Sequence, residues 1–300
     1  MPFNIFTAPV QVLHDELFRQ KKISVAVLRL DAIHPVVSGN KLFKLHYFLK
    51  EAINTEHKTV LTFGGTYSNH LVATAFACQA NGLKSIGIVR GEKPASLSST
   101  LQQCMNYGMQ LAFISREAYQ EKETISFQNE LKNKWGECCI VPEGGYHPLG
   151  AKGASLIQDL IKDDNYSHVC TASGTATTAA GLLLGGTQKV ISVPVLKGMT
   201  DIAARINFLC GGSFKKEQLE IFDQYHFGGY AKKTPELIEF MNELWRRHRL
   251  PTDFVYTAKL FFAIYDKIKK DHFPSGSHII CLHTGGLQGN NSLPAGSLLF

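Results

Sequence analysis

The sequence predicts an α/β protein with mostly parallel sheets, divided into two modest domains. Short apolar segments rich in β-branched residues alternate with helical segments, and this alternation favours parallel βαβ units. A chain of 300 residues with 44% hydrophobic content suits two such domains better than one. Parallel sheets bind ligands at the carboxyl ends of their strands, so we look for function in the turns that follow them.

The first clear βα unit spans residues 59–83. Residues 60–63 are typical of a strand buried on both faces, and Gly64 and Gly65 end it. The helix predicted over residues 71–80 is apolar on nearly every face, and Asn81-Gly82 ends it. The turn is either an ordinary βα connection or an anion site, because backbone N–H groups at a helix N-terminus lack partners. Its polar residues are Thr66, Tyr67, Ser68, Asn69 and His70.

A second turn of the same kind follows the apolar strand that begins at Val169. It leads into a helix rich in alanine and leucine. Two anion-binding helix termini in one chain predict a ligand with two anionic ends. The small and polar residues of this turn are Ala172, Ser173, Gly174, Thr175, Ala176, Thr177 and Thr178.

Lys41 lies at the start of the helix predicted over residues 42–52, directly after Gly39 and Asn40. A cation is unfavourable there because the helix dipole is positive at its N-terminus. Either the Lys41 side chain is therefore solvent-exposed, or its positive charge is compensated. A covalent bond through its nitrogen would remove the charge, and a nearby phosphate would balance it. The preceding glycine and asparagine favour the second interpretation, because they are typical of a tight backbone that aims a side chain.

The remaining elements continue the alternation of strands and helices. The glycine-rich segment over residues 143–150 is either the return crossing between the domains or a plain surface loop. A dinucleotide-binding fold is disfavoured because neither glycine turn has the G-x-G-x-x-G spacing. Strands are predicted over residues 25–30, 85–89, 110–114, 139–141, 190–195, 219–222 and 278–282. Helices are predicted over residues 98–107, 116–135, 201–209, 235–248 and 258–270, and another closes over residues 156–161.

Composition argues against several classes of function. The formal net charge is +6, but the basic residues are scattered or lie at predicted helix ends, so we expect no nucleic-acid partner. No apolar run approaches membrane-spanning length and the N-terminus lacks the pattern of a secretory signal, so we expect no membrane association. The seven cysteines lack metal-ligand spacing, which predicts no metal site and fits a reducing cytoplasm.

Seven motifs occur in an order that resembles one known family. They are SGNKLFKL, TFGGTYSNH, EGGYHPLG, ASGTATT, FGGY, VYTAK and HTGGLQG. The chain thereby resembles the 1-aminocyclopropane-1-carboxylate deaminase and D-cysteine desulfhydrase family of pyridoxal-phosphate enzymes. The resemblance implies the tryptophan-synthase-β-like fold, with two three-layer αβα domains and mostly parallel sheets. Residues 1–45 and 152–300 are then expected to form the larger, cofactor-binding domain, and residues 46–151 the smaller one.

The resemblance implies a set of residues for the cofactor, pyridoxal 5'-phosphate. Lys41 matches the lysine that binds this cofactor covalently. Asn69 matches a residue beside the cofactor ring. The turn that would hold the phosphate through its N–H groups and hydroxyls contains Ser173, Gly174, Thr175, Ala176 and Thr177.

The resemblance also implies residues for the substrate, a small amino acid. Ser68, Asn69 and His70 match the residues that face the substrate carboxylate and the ring. Tyr230 and Tyr256 match two active-site tyrosines, which we assign with Lys41 and Ser68 to catalysis.

Thr257 and Thr284 match the two positions beside the pyridine nitrogen. The family's deaminases carry a glutamate and a leucine there, whereas its D-cysteine desulfhydrases carry two threonines. A carboxylate would keep the nitrogen protonated and the ring strongly electron-withdrawing, which opening a cyclopropane requires, whereas expelling a β leaving group requires less. We therefore expect D-cysteine desulfhydrase activity, which gives pyruvate, hydrogen sulfide and ammonia. The alternatives are the cyclopropane deaminase, which gives 2-ketobutyrate and ammonia, and a catalytically idle protein that binds pyridoxal phosphate or an amino acid.

The sequence departs from the family pattern close to Lys41. Ser38 replaces the first glycine of the family's G-G-N-K segment, Phe43 replaces an arginine, and the loop over residues 34–36 is short. These departures leave the identity and chirality of the substrate open. We expect a homodimer, because that is the commonest soluble assembly.

Overall fold

The computed structural model describes residues 7–37, 39–55, 58–162, 165–212 and 214–300. Within these ranges, no helix is both long and apolar enough to cross a membrane. Ser38, the departure from the family's glycine, lies outside the described residues. The strands are β1 (Val10–Leu13), β2 (Ser24–Leu28), β3 (Thr59–Gly64), β4 (Lys84–Arg90), β5 (Met109–Ile114), β6 (Cys139–Val141), β7 (His168–Ser173), β8 (Lys189–Pro194), β9 (Leu219–Ile221) and β10 (His278–Leu282).

The strands form two sheets. The larger sheet has the order β1-β2-β10-β7-β8-β9, and the smaller has the order β5-β4-β3-β6. Every pairing is parallel except the one at the edge of the larger sheet, where β1 runs antiparallel to β2. The last strand, β10, lies between β2 and β7, so the end of the chain closes the centre of the larger sheet.

Helices cover both faces of each sheet, as predicted for three-layer domains. In the larger sheet, Val27 packs in a core that contains Phe261, whereas the adjacent Leu28 packs in the core on the opposite face. The smaller sheet likewise has one core around Leu61 and another around Leu71. The helices are α1 (Glu16–Lys21), α2 (Lys41–Asn54), α3 (Asn69–Ala80), α4 (Ser99–Asn106), α5 (Arg116–Gln120), α6 (Ile125–Trp135), α7 (Pro148–Ser155), α8 (Thr177–Gly185), α9 (Ile202–Leu209), α10 (Pro235–His248) and α11 (Thr257–Lys269).

Two predicted helices are wrong in their extent. The single helix predicted over residues 116–135 is interrupted, because Thr124 has an extended backbone and its hydroxyl accepts a hydrogen bond from Phe127 N, which starts α6 as a new helix. The helix predicted to close over residues 156–161 ends earlier, at Ser155, and a 3-10 turn over Gln158–Leu160 follows it. The edge strand β1 and the short helix α1 were not predicted.

The helices α2 and α7 join the two sheets. A side chain at Gly153 in α7 would collide with the carbonyl of Phe43 in α2, so glycine permits their close approach. The strands of the smaller sheet all fall within residues 46–151, and those of the larger sheet fall in the two flanking ranges. The domain boundaries at 45/46 and 151/152 stay a prediction, and both positions lie inside these two helices.

Candidate active site

The turns after β3, β7 and β10 meet the N-terminus of α2 in a cleft between the two sheets. Gly39 has a φ of 76° and lies against the backbone of Thr284, where any side chain would collide. On the other side, Asn40 Nδ2 donates a hydrogen bond of 2.7 Å to Thr178 Oγ1 in α8. Asn69 in α3 lies beside Gly286, which has no side chain to displace it. The four segments that the sequence singled out are therefore neighbours.

Lys41 is the first residue of α2 and is partly buried. Burial lowers the pKa of its amine to about 8, and the negative charge of Asp253 opposes that effect. Its Nζ lies 5.6 Å from the centroid of the Tyr256 ring. A lysine in this state has an appreciable neutral fraction near neutral pH, which is the form that reacts with a carbonyl group.

Lys44 is a further functional candidate, which the sequence indicates only as an alternative to Lys41. It lies one turn of α2 beyond Lys41 and is 6% exposed, and no ion pair among the described residues includes it. Burial and the charge of Lys41 lower the pKa of Lys44 well below its ordinary value. Gly145, with a φ of 72°, leaves room for its side chain. An anion would stabilise the charged forms of these two buried amines, so this part of the cleft is suited to one.

The N-terminus of α8 provides backbone donors close to these lysines. Ala176 precedes the helix with a left-handed backbone, φ 64° and ψ −4°, a conformation that is costly for a residue other than glycine and is typical of functional turns. Thr175 Oγ1 and Thr177 Oγ1 lie 2.9 Å apart. Ser173 differs, because its Oγ lies 2.7 Å from Ser192 Oγ in the neighbouring strand and is buried there. Only its backbone is left to serve a ligand.

The structure gives a further reason for a glycine at position 174, besides the predicted role of this turn in binding phosphate. A Cβ at this position would lie 3.1 Å from Tyr256 Cε1 and 3.4 Å from the Tyr256 hydroxyl. The glycine therefore admits the Tyr256 ring as well as leaving the backbone of the turn open.

Ser68, Asn69 and His70 form the start of α3. Ser68 caps the helix by accepting a hydrogen bond of 3.3 Å from Leu71 N. The buried Oδ1 of Asn69 and Nδ1 of His70 have no hydrogen-bond partner among the described residues. These two atoms would be satisfied by a ligand in the cleft.

The tautomer of His70 follows from its neighbours. Thr62 Oγ1 donates its proton to Val141 O at 2.8 Å, so the contact of 2.9 Å between Thr62 Oγ1 and His70 Nε2 requires the proton on Nε2. Burial, with the charges of Lys44 and Lys41, lowers the pKa of His70 to about 3. His70 is therefore neutral, and its Nδ1 is a hydrogen-bond acceptor.

Tyr230 and Tyr256 come from different parts of the larger domain and meet at the cleft. Their ring centroids are 6.3 Å apart, with the ring planes 73° to each other. Burial is the main cause that raises the pKa of both phenols, and that of Tyr256 is raised well above its ordinary value. Both side chains hold their protons at neutral pH and can donate hydrogen bonds to a ligand.

The surroundings of Thr257 differ from the expectation. Its hydroxyl donates to Asp253 Oδ1 at 2.7 Å and accepts from Asp253 N at 2.8 Å. Asp253 is 1% exposed, and it also accepts hydrogen bonds from the backbone N–H groups of residues 255, 256 and 257. The expectation that only neutral hydroxyls lie in this region is wrong, because a buried carboxylate lies directly behind Thr257. Thr284 is buried, and its hydroxyl makes no hydrogen bond to the described residues.

The chain matches a family model described as pyridoxal-phosphate dependent enzyme over residues 9–285. The chain belongs to this family. It is 30% identical to a Thermotoga maritima protein named "Putative 1-aminocyclopropane-1-carboxylate deaminase", over 94% of each chain. It is 28% identical to an Arabidopsis thaliana protein named bifunctional D-cysteine desulfhydrase/1-aminocyclopropane-1-carboxylate deaminase, mitochondrial, over 84% of this chain and 70% of the relative.

A solved structure described as an ACC deaminase homologue has the same fold. Its TM-score is 0.78 at 25% identity, over 96% of this chain and 92% of the other. The predicted fold is thus confirmed as the tryptophan-synthase-β-like fold of pyridoxal-phosphate enzymes. The predicted relationship to 1-aminocyclopropane-1-carboxylate deaminases is confirmed at the same time.

The residues of the cleft fit the cofactor of this family. Pyridoxal phosphate has an aldehyde, a phosphate and an aromatic ring. The cleft has a lysine with a lowered pKa, the N-terminus of α8 with its backbone N–H groups, and unsatisfied polar atoms at Asn69 and His70. In the described part of the chain, no three His, Cys, Asp or Glu residues are grouped to hold a metal ion. The roles of the individual residues stay predictions.

Proposed function

We propose that this pyridoxal-phosphate-dependent, 1-aminocyclopropane-1-carboxylate deaminase-like enzyme is a lyase that eliminates a β leaving group from a small D-amino acid, with D-cysteine as the substrate to test first. The observation that carries the proposal is the pair of threonines at 257 and 284. Asp253, the carboxylate behind Thr257, accepts four hydrogen bonds at the start of α11, which compensate its charge. The groups left for a pyridine nitrogen are hydroxyls, and these suit elimination of a good leaving group.

We assign the steps of the reaction to different residues of the cleft. Pyridoxal phosphate, when bound, supplies the electron sink for a carbanion at the substrate Cα. We assign removal of the α-proton to the Lys41 amine, because burial lowers its pKa to about 8. We assign binding of the substrate carboxylate to Ser68 and the N-terminus of α3, because the N–H groups of a helix N-terminus suit an anion. We assign protonation of the departing thiolate to Tyr256 or Tyr230, because their phenol groups meet at the cleft.

A second candidate is the deamination of 1-aminocyclopropane-1-carboxylate. Two observations favour it: the names of the similar proteins, and the buried charge of Asp253 one hydrogen bond behind Thr257. If that charge acts through the Thr257 hydroxyl on a bound ring, the electron sink is stronger than two hydroxyls alone provide.

The proposal is tested with purified protein saturated with pyridoxal phosphate. We expect sulfide and pyruvate in equal amounts from D-cysteine, much less from L-cysteine, and neither above background with the Lys41→Ala variant. Equal turnover of both enantiomers would contradict the stereochemical part of the proposal. No sulfide from either enantiomer would remove desulfhydrase activity altogether.

We also propose that the protein is a homodimer and acts in the cytoplasm. The unpaired cysteine thiols of the described residues support the second proposal, since a reducing compartment keeps thiols free. Sedimentation at micromolar concentration tests the first, and a monomer there would contradict it.

A further inference from the structure

The turn that carries Tyr230 has an unusual backbone. Phe227, Gly228 and Gly229 have φ angles of 50°, 90° and 118°, and Ala231, directly after Tyr230, has a φ of 52°. Left-handed backbone at Phe227 and Ala231 is unfavourable for residues with a Cβ, so surrounding interactions must hold the turn in place. Tyr230 itself is 48% exposed, and its ring contacts that of Tyr256.

Lys259 supplies those interactions from α11. Its side chain is fully buried, and its Nζ donates hydrogen bonds to His226 O at 2.9 Å and to Gly229 O at 2.7 Å. The same two residues close the turn, because Gly229 N donates to His226 O at 2.9 Å. Hydrogen bonds from an ammonium group are stronger than those between neutral groups. Lys259 thus binds both ends of the turn that precedes Tyr230.

The turn also packs on a residue that lines a cavity beside Gly174 and Thr175. A Cβ at Gly229 would lie 3.3 Å from Lys197 Cβ, so the turn packs directly on Lys197. Lys197 lines a cavity of about 350 Å³ together with Gly174 and Thr175 of the turn that precedes α8. A shift of the turn would therefore disturb both this cavity and Tyr230, which follows Gly229 directly in the chain.

A buried ammonium group is costly, and this one has no carboxylate hydrogen-bonded to it among the described residues. Burial lowers the pKa of Lys259 to about 8, while the charge of Asp253 opposes that effect. A methionine of similar volume would fill the same space without this cost. The presence of a lysine at position 259 is therefore explained by the two backbone carbonyl groups that its ammonium group binds, and not by packing.

We propose that Lys259 is a positioning residue that clamps the turn over residues 226–229 and so fixes Tyr230 against Tyr256 at the cleft. The clamp itself is a property of the folded chain. Its effect on turnover rests on the role proposed for Tyr230.

Hydrogen exchange of the apoprotein tests the clamp without any activity. We expect Lys259→Met to raise the exchange rate of the Gly229 and Lys232 amides at least about tenfold, while the amides of β7 and β10 are unchanged. The control is Lys269→Met, on the last turn of the same helix. This variant should change the exchange rates neither at the turn nor in β7 and β10. Unchanged exchange at the turn, or an equal rise throughout the protein, would overturn the proposal. If Lys259→Met does not fold, Lys259→Gln, which keeps one donor group, should show the same local rise at a smaller size.

A double-mutant cycle tests the effect on turnover. We expect Lys259→Met to lower kcat about tenfold in the protein with Tyr230, but less than about twofold in the Tyr230→Phe background. Equal effects in both backgrounds would show that Lys259 does not act through Tyr230. If the protein turns over no D-cysteine, the proposed function fails, whereas the exchange experiment still decides whether the clamp exists.

Discussion

At the scale of single residues, Asp253 affects both the pKa of Lys41 and the start of α11. Its charge raises the pKa of Lys41 against the effect of burial. It also holds the Thr257 hydroxyl and the N–H groups that begin α11. The electronic argument based on two threonines therefore has to include Asp253.

Asp253→Asn should move the pH dependence of Lys41 without changing the shape of the side chain. Since the neutral amine is the reactive form, uptake of pyridoxal phosphate by the apoprotein should rise with pH around a midpoint near 8. Removal of the carboxylate charge lowers the pKa of Lys41, so the midpoint of the variant should lie at lower pH. The measurement is the rate of cofactor uptake across pH. Asp271→Asn, an exposed site on the surface, is the control and should leave the midpoint in place.

Lys41→Ala should abolish the visible absorption of covalently bound cofactor while the fold is retained. Lys44→Met should keep that absorption but weaken cofactor binding, because Lys44 is a buried amine whose charged form a phosphate would stabilise, and it is not the residue at the helix start. Absorption spectra and cofactor titrations of the two variants check both points. If the band persists in Lys41→Ala and is lost in Lys44→Met, the two lysines have exchanged roles.

At the scale of elements, the start of α8 is the best candidate for the phosphate. The glycine in this turn suggests a substitution at Gly174 as a test of the prediction. Gly174 is nevertheless a poor probe, because any side chain there also displaces Tyr256. Thr177, the first residue of α8, is buried and has no such conflict.

Thr177→Val should weaken binding of pyridoxal phosphate by about tenfold to a hundredfold, which corresponds to about 1.5–3 kcal/mol for a hydrogen bond to a charged group. Ser68→Ala, at the start of α3, should mainly lower turnover. Cofactor titration of the two variants compares the helix termini directly. A larger loss of affinity in Ser68→Ala would place the phosphate at α3 instead.

At the scale of the whole molecule, elements with local signals could be predicted from the sequence. The helix α10 begins and ends where predicted, because Thr234 caps it and Pro235 fits its first position. The break at Thr124 could not be told apart from a continuous polar helix, since threonine is compatible with both. The strand β1 forms only by pairing with β2, a contact between distant residues that its sequence does not show.

In the candidate site too, some residues could be predicted from the sequence and others could not. Lys41 could be found because a lysine at a helix start conflicts with the helix dipole, which is a local feature. Lys44 and Asp253 could not, because their importance comes from burial among segments that meet only in the folded chain. The hydrogen bond from the Thr257 hydroxyl to Asp253 could not be predicted for the same reason, since this partner is fixed by the start of α11.

The central claim is that the threonines at 257 and 284 favour β-elimination over opening of a cyclopropane ring. The most direct test is the ratio of kcat/KM for D-cysteine, measured as sulfide and pyruvate, to kcat/KM for 1-aminocyclopropane-1-carboxylate, measured as 2-ketobutyrate. Both values should come from one preparation saturated with pyridoxal phosphate. We expect a ratio well above one, with little or no 2-ketobutyrate. A ratio below one would contradict the account and would indicate that the charge of Asp253 reaches the cofactor ring through Thr257.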